Sequence, residues 1–69
     1  MHYRTISYAT TASQLLVKVD LFNVLPTHRE RVTQLEFSIT TAGAPTTTEV
    51  PVLIETALRS FGYSIDGPC

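Results

Sequence analysis

Between Thr47 and Gly62 the chain reads TTEVPVLIETALRSFG, and its apolar residues recur at helical spacing. Val50, Leu53, Ile54, Ala57, Leu58 and Phe61 follow the i, i+3, i+4, i+7, i+8, i+11 series. At about 100° per residue they form one stripe, which predicts a helix with one buried face. Glu55, Thr56 and Arg59 fall on the opposite side, with Glu55 and Arg59 an i,i+4 pair worth a few tenths of a kcal/mol. Gly62, directly after Phe61, suits the left-handed residue that closes a helix. Thr48 as N-cap places Pro51 at N3, where its missing N–H costs no intrahelical bond. The bias of a pre-proline residue away from the α region sets an alternative start just after Val50. A helix from 49–51 to 61 is marginal alone. The remaining residues must therefore supply an apolar surface.

Three stretches upstream read as strands. Residues 3–9 (YRTISYA) mix aromatic, β-branched and small polar side chains, and we expect Ile6 and Tyr8 to face inward. Residues 10–13 (TTAS) read as a turn. Residues 14–24 (QLLVKVDLFNV) carry the strongest β signal, with Leu15, Val17, Val19 and Leu21 alternating with Leu16, Lys18, Asp20 and Phe22. A helix there would set Lys18 and Asp20 on different sides and break any apolar stripe. Residues 25–31 (LPTHRER) read as a polar connector opened by Pro26. Residues 33–41 (TQLEFSITT) then alternate again, with Leu35, Phe37 and Ile39 inward. Two alternating strands joined by a short loop predict an antiparallel hairpin. Lys18 or Asp20 would then lie across from Glu36 or Arg31.

The expected architecture is a single α+β domain over residues 1–69, a three-stranded antiparallel β-meander with the C-terminal amphipathic helix packed on one face. Tyr63–Asp66 leaves room for a short fourth strand, and residues 66–69 read as a mobile tail. The expected core comprises Leu15, Val17, Val19, Leu21, Leu35, Phe37, Ile39, Leu53, Ile54, Ala57, Leu58 and Phe61.

Sixty-nine residues leave little core to bury, so association is a natural source of further stability. Cys69 is the only cysteine, which excludes a disulfide within the chain. It reads as a free thiol, with an intermolecular disulfide in an oxidising compartment as the alternative. The net charge is −1, with four arginines and one lysine against six acids, and offers no overall footprint for nucleic acid or acidic membranes. Residues 1–20 lack the basic start and apolar run of a signal peptide. Residues 15–25 are interrupted by Lys18, Asp20 and Asn23, so no membrane span is expected. The chain reads as cytoplasmic.

Three features invite a functional reading. The second strand places Leu16, Phe22 and Val24 on the sheet face that one helix cannot cover, as a partner surface would. Val52 stands alone on the helix's polar side. His28, Arg29, Glu30 and Arg31 cluster between two strands, where guanidinium groups suit carboxylate or phosphate. Thr40, Thr41, Thr46, Thr47 and Thr48 precede the helix, where hydroxyls serve as caps or, with backbone N–H groups, hold an anion. No HExxH, CxxC, GxSxG or GxGxxG motif occurs, and no His, Cys, Asp or Glu spacing suggests a metal. We therefore expect no enzyme and no cofactor. The leading expectation is a non-catalytic protein–protein interaction module of inhibitor or modulator type, acting as a homodimer. Its partner-binding residues would be Leu16, Phe22, Val24, His28, Arg29 and Arg31. The alternative is nucleic-acid binding through Arg4, Arg29 and Arg31.

Overall fold

The computed structural model describes residues 1–68; the expectations for Cys69 lie outside the described residues. The elements run β1 (His2–Thr10), β2 (Gln14–Val24), β3 (Arg29–Thr40), α1 (Glu49–Ser60) and β4 (Gly67–Pro68). The described strands form one sheet in the order β3-β2-β1-β4, antiparallel except where β4 joins β1 in parallel. The α+β class and the antiparallel meander are thus present, with β2 at the centre.

Strand β2 follows its alternation. Leu15, Val17, Val19 and Leu21 are buried together with Val50, Ile54 and Leu58 of the helix. The strand that was expected over Tyr63–Asp66 forms instead at Gly67–Pro68, opposite His2 and Tyr3. Gly67 and Pro68 are therefore sheet residues rather than a loose tail. Tyr63–Asp66 is an irregular connector, and Ile65 within it plugs the core. The Asp66 amide donates to the Met1 carbonyl at 2.8 Å.

Bulges change the reading of the two outer strands. The β1–β2 register slips between Thr5 and Ser7, leaving Ile6 without a partner on β2. Tyr3 and Thr5 pair with Leu21 and Val19, so Tyr3 becomes the inward residue at 3% exposure. Ile6 and Tyr8, expected inward, are 43% and 44% exposed. The inserted residue breaks the two-residue period: Ile6 drops out of register, while Tyr8, opposite Val17, stays on the helix side and lines a groove against the helix start. In β3, Val32 is skipped between the Leu21–Thr33 and Phe22–Arg31 pairs. The connector between β2 and β3 is only Leu25–His28, closed by the Leu25 amide donating to the His28 carbonyl at 2.8 Å. Arg29, Glu30 and Arg31, expected in a loop, are strand residues because the long end of β2 offers them backbone partners.

The helix begins at Glu49 with Pro51 in its first turn. Its capping hydroxyl comes from Thr46 rather than Thr48. Thr46 Oγ1 accepts the Glu49 amide at 3.3 Å and donates to Glu49 Oε1 at 3.1 Å, a reciprocal cap. At the other end the Tyr63 amide donates to the Leu58 carbonyl and the Gly62 amide to that of Arg59. This is a Schellman closure with Gly62 at φ 101°. Phe61, expected in the core, is 55% exposed and meets Phe37 edge-on at 5.2 Å. It lies past the last buried helical position. Leu35, Phe37, Ile39 and Leu53 are half-buried around the core, and Tyr3, Val50 and Ile65 complete it.

One polar chain runs along the border of this core. The Tyr3 hydroxyl donates to Glu55 Oε2 at 3.0 Å, and Arg59 donates to Glu55 Oε1 and to the Ile65 carbonyl. Burial and the neighbouring Glu55 carboxylate push the Tyr3 phenol up to about 12.

Two predictions follow from these contacts. Gly62→Ala forces a Cβ into a positive-φ position and should lower stability by about 1 kcal/mol, read by urea denaturation. The free phenol ionises near 10 and the folded one near 12. Tyr3 therefore favours the fold fully below pH 10, and that contribution disappears as pH rises through 12. An alkaline denaturation series should show this loss of stability in the wild type and a smaller one in Tyr3→Phe.

Candidate interaction face

The sheet has two unlike sides. Residues of β2 with odd numbers face the helix, and those with even numbers face away from it, on a surface no described element covers. Cross-strand register assigns Arg4 to this open side opposite Asp20, and Ala9 opposite Leu16. It assigns Gln34 opposite Asp20, Glu36 opposite Lys18, Arg31 opposite Phe22 and Arg29 opposite Val24.

Asp20 organises the face. It is the buried charged residue among those described, at 3% exposure, although it sits on the uncovered side. Gln34 Nε2 donates to its Oδ1 at 3.0 Å and Arg4 Nη2 to its Oδ2 at 3.4 Å. Arg31 Nη1 stands 4.0 Å from Oδ1. The two guanidinium groups thus roof the carboxylate from opposite strands. Arg4 also lies over the Phe22 ring, 5.4 Å from its centroid. That cation–π contact leaves Phe22 half-buried beneath an arginine.

The arginines themselves are 62% and 61% exposed, so their attraction to Asp20 adds little stability. Its effect is positional. A guanidinium has five N–H donors; Arg4 uses one on Asp20 and Arg31 stands at ion-pair distance without a hydrogen bond. Both side chains are largely exposed, so most of their donors are open to solvent. Guanidinium groups of this kind can donate to carboxylate or phosphate oxygens.

The charges of the whole chain sort between the two sides. The open face holds Arg4, Lys18, Arg29 and Arg31 against Asp20 and Glu36, a formal excess of two positive charges. The remaining side chains hold Arg59 against Glu30, Glu49, Glu55 and Asp66, an excess of three negative charges. A net charge of −1 therefore conceals a basic face. Strand register alone sets this division, so composition could not show it.

Of the residues expected to bind a partner, Leu16, Phe22, Val24, Arg29 and Arg31 share this face. Leu16 and Val24 are exposed at its two ends, separated by about 27 Å of strand. His28 lies off the face, in the turn, beside Thr27 Oγ1 at 3.0 Å. Sequence reasoning left Asp20 and Gln34 out of the candidate set and named Arg4 only for the nucleic-acid alternative. A lone acid in the middle of an otherwise apolar strand was the available signal.

Elsewhere the surface offers less chemistry. A groove of about 280 Å³ between β1 and the helix start is lined by Tyr3, Tyr8, Val50, Pro51 and Ile54 among others, with no acid, histidine or cysteine. The threonine-rich approach to the helix carries Glu49 in its first turn, a carboxylate where an anion would have to sit. Among the described residues no three His, Cys, Asp or Glu side chains gather as a metal site, and no helix is long and apolar enough to cross a membrane.

Replacing the organising carboxylate tests its positional role. Asp20→Ala removes the acceptor that Gln34 and Arg4 share, but these donors are exposed and re-solvate, so the change should cost no more than about 1 kcal/mol by chemical denaturation. The Arg4 and Arg31 side-chain resonances should also lose their dispersion in NMR spectra. The chain matches no family model, no curated protein and no solved structure, which leaves the chemistry of this face to speak for its role.

Proposed function

We propose that the protein is a non-catalytic docking module that binds the acidic surface of a partner protein through the open face of its sheet. The observation that carries this reading is the sorting of charge: four of the five cationic side chains share one face in a chain that is acidic overall. Interleaved Leu16 and Val24 add apolar contact at the two ends, as interfaces with proteins do. Electrostatic complementarity of this kind speeds encounter and sets the register of docking. A module without a catalytic centre acts by occupying its partner's surface, which suits an inhibitor or modulator. A single cysteine is at home in the reducing cytoplasm.

The same arginines support a second reading, binding to nucleic acid through phosphate contacts by Arg4, Arg29 and Arg31. The protein reading is favoured by Phe22. Sheets that bind single strands stack bases on uncovered aromatic rings, and here Arg4 occupies the ring of Phe22.

Both readings meet one experiment, capture of partners by the tagged protein from its native host's lysate, with and without nuclease, at two salt concentrations. The protein reading expects an acidic protein retained after nuclease treatment. It also expects the double variant Arg29→Glu, Arg31→Glu to lose at least about tenfold in affinity while keeping its circular dichroism. Capture that disappears with nuclease would transfer the arginines to a nucleic acid.

A further inference from the structure

We infer that β3 is a self-association edge, at which a second copy of the chain adds its own β3 in antiparallel orientation centred on Phe37. The inference is independent of the acidic partner, because it concerns the strand's edge and not its open face.

Strand β3 ends the sheet over twelve residues, with β2 on one side only. No backbone hydrogen bond outside the β2 ladder engages its residues among those described. The opposite edge is different: β4 covers β1 at His2 and Tyr3, and a bulge interrupts it at Ile6. Sheet edges are usually protected by proline, inward charges or short length. From Thr33 to Thr40, β3 has no proline and a single charge, Glu36.

The bulge at Val32 limits where a second copy can pair. Residues opposite each other in an antiparallel pair share a face, so only the regular stretch 33–40 can match itself in phase. Centring the twofold axis on Glu36 sets two carboxylates against each other, a destabilising arrangement. Centring it on Phe37 sets Leu35 against Ile39, Glu36 against Ser38 and Gln34 against Thr40, with no like charges opposed. It also brings together two half-buried Phe37 rings, each with its exposed Phe61 against it. That register gives Phe61 an apolar neighbour that one chain alone lacks. A second copy thus fits this edge by pattern, charge and length. Arg29 and Arg31 fall outside the paired stretch and stay on the open face.

The test compares wild type, Ser38→Glu and Ser38→Lys by sedimentation equilibrium, with circular dichroism to verify folding. Ser38 is exposed and opposite Leu16 on β2, so both variants are tolerated within one chain. The wild type should sediment at twice the chain mass. Glu at 38 faces Glu36 of the second copy twice and should weaken the dimer roughly tenfold, whereas Lys should preserve or tighten it. Hydrogen exchange in residues 34–40 should slow as concentration rises. A wild type that stays at single-chain mass at high micromolar concentration would overturn the inference. So would a dimer indifferent to both substitutions, and dissociation by Arg29→Glu, Arg31→Glu alone would move self-association to the open face. Loss of acidic-partner capture without change in mass concerns the docking reading only.

Discussion

The two-residue alternation of β2 is the constraint from which the molecule follows. Leu15, Val17, Val19 and Leu21 turn one side of the sheet into a surface the helix must cover. The same backbone delivers Lys18, Asp20 and Phe22 to the other side without further instruction. Both neighbouring strands take their register from it, so a shift of one residue in β2 would exchange core and face. The helix, too short to persist alone, exists because this surface receives Val50, Ile54 and Leu58.

What the sequence disclosed divides along these lines. Where periodicity is unbroken, as in β2 and α1, residue types alone placed the elements and their buried sides. Gly62 marked its helix end because few other residues tolerate that conformation. Among the upstream strands the failures lie at the bulges. Ile6 and Val32 each insert a residue, so the helix side of β1 is Tyr3, Thr5 and Tyr8 without Ile6, while Arg29 and Arg31 join a strand because the end of β2 extends to pair with them. Local composition carries no mark of an inserted residue, since the slip is defined only by the partner strand. Glu55 illustrates a second limit: its spacing from Arg59 is legible, whereas its bond to Tyr3, fifty-two positions away, depends on tertiary packing.

The candidate face was half legible for the same reason. Leu16, Phe22 and Val24 could be assigned to the uncovered side by alternation alone. The central role of Asp20 could not, because it depends on guanidinium groups delivered from two other strands. Buried acids on open faces are costly unless such groups surround them. Pairing two copies along β3 would also lay the two open faces side by side in one continuous sheet. The two arginine pairs would then stand about 40 Å apart, a spacing suited to gripping an extended or repeated acidic surface twice.

The topology has a bearing on how quickly the chain reaches this state. Both β1–β2 and β2–β3 are joined by tight turns, at Thr11–Ser13 and Leu25–His28, so the main pairings close short loops. Such local closure is fast. Docking of the helix, and with it the Tyr3–Glu55 bond, closes a much longer loop and is expected to be slower. Until it docks, the apolar side of β2 and the bare edge of β3 are uncovered together. Helix arrival therefore sets the interval during which crowded, newly made chains can stick to one another in the wrong register.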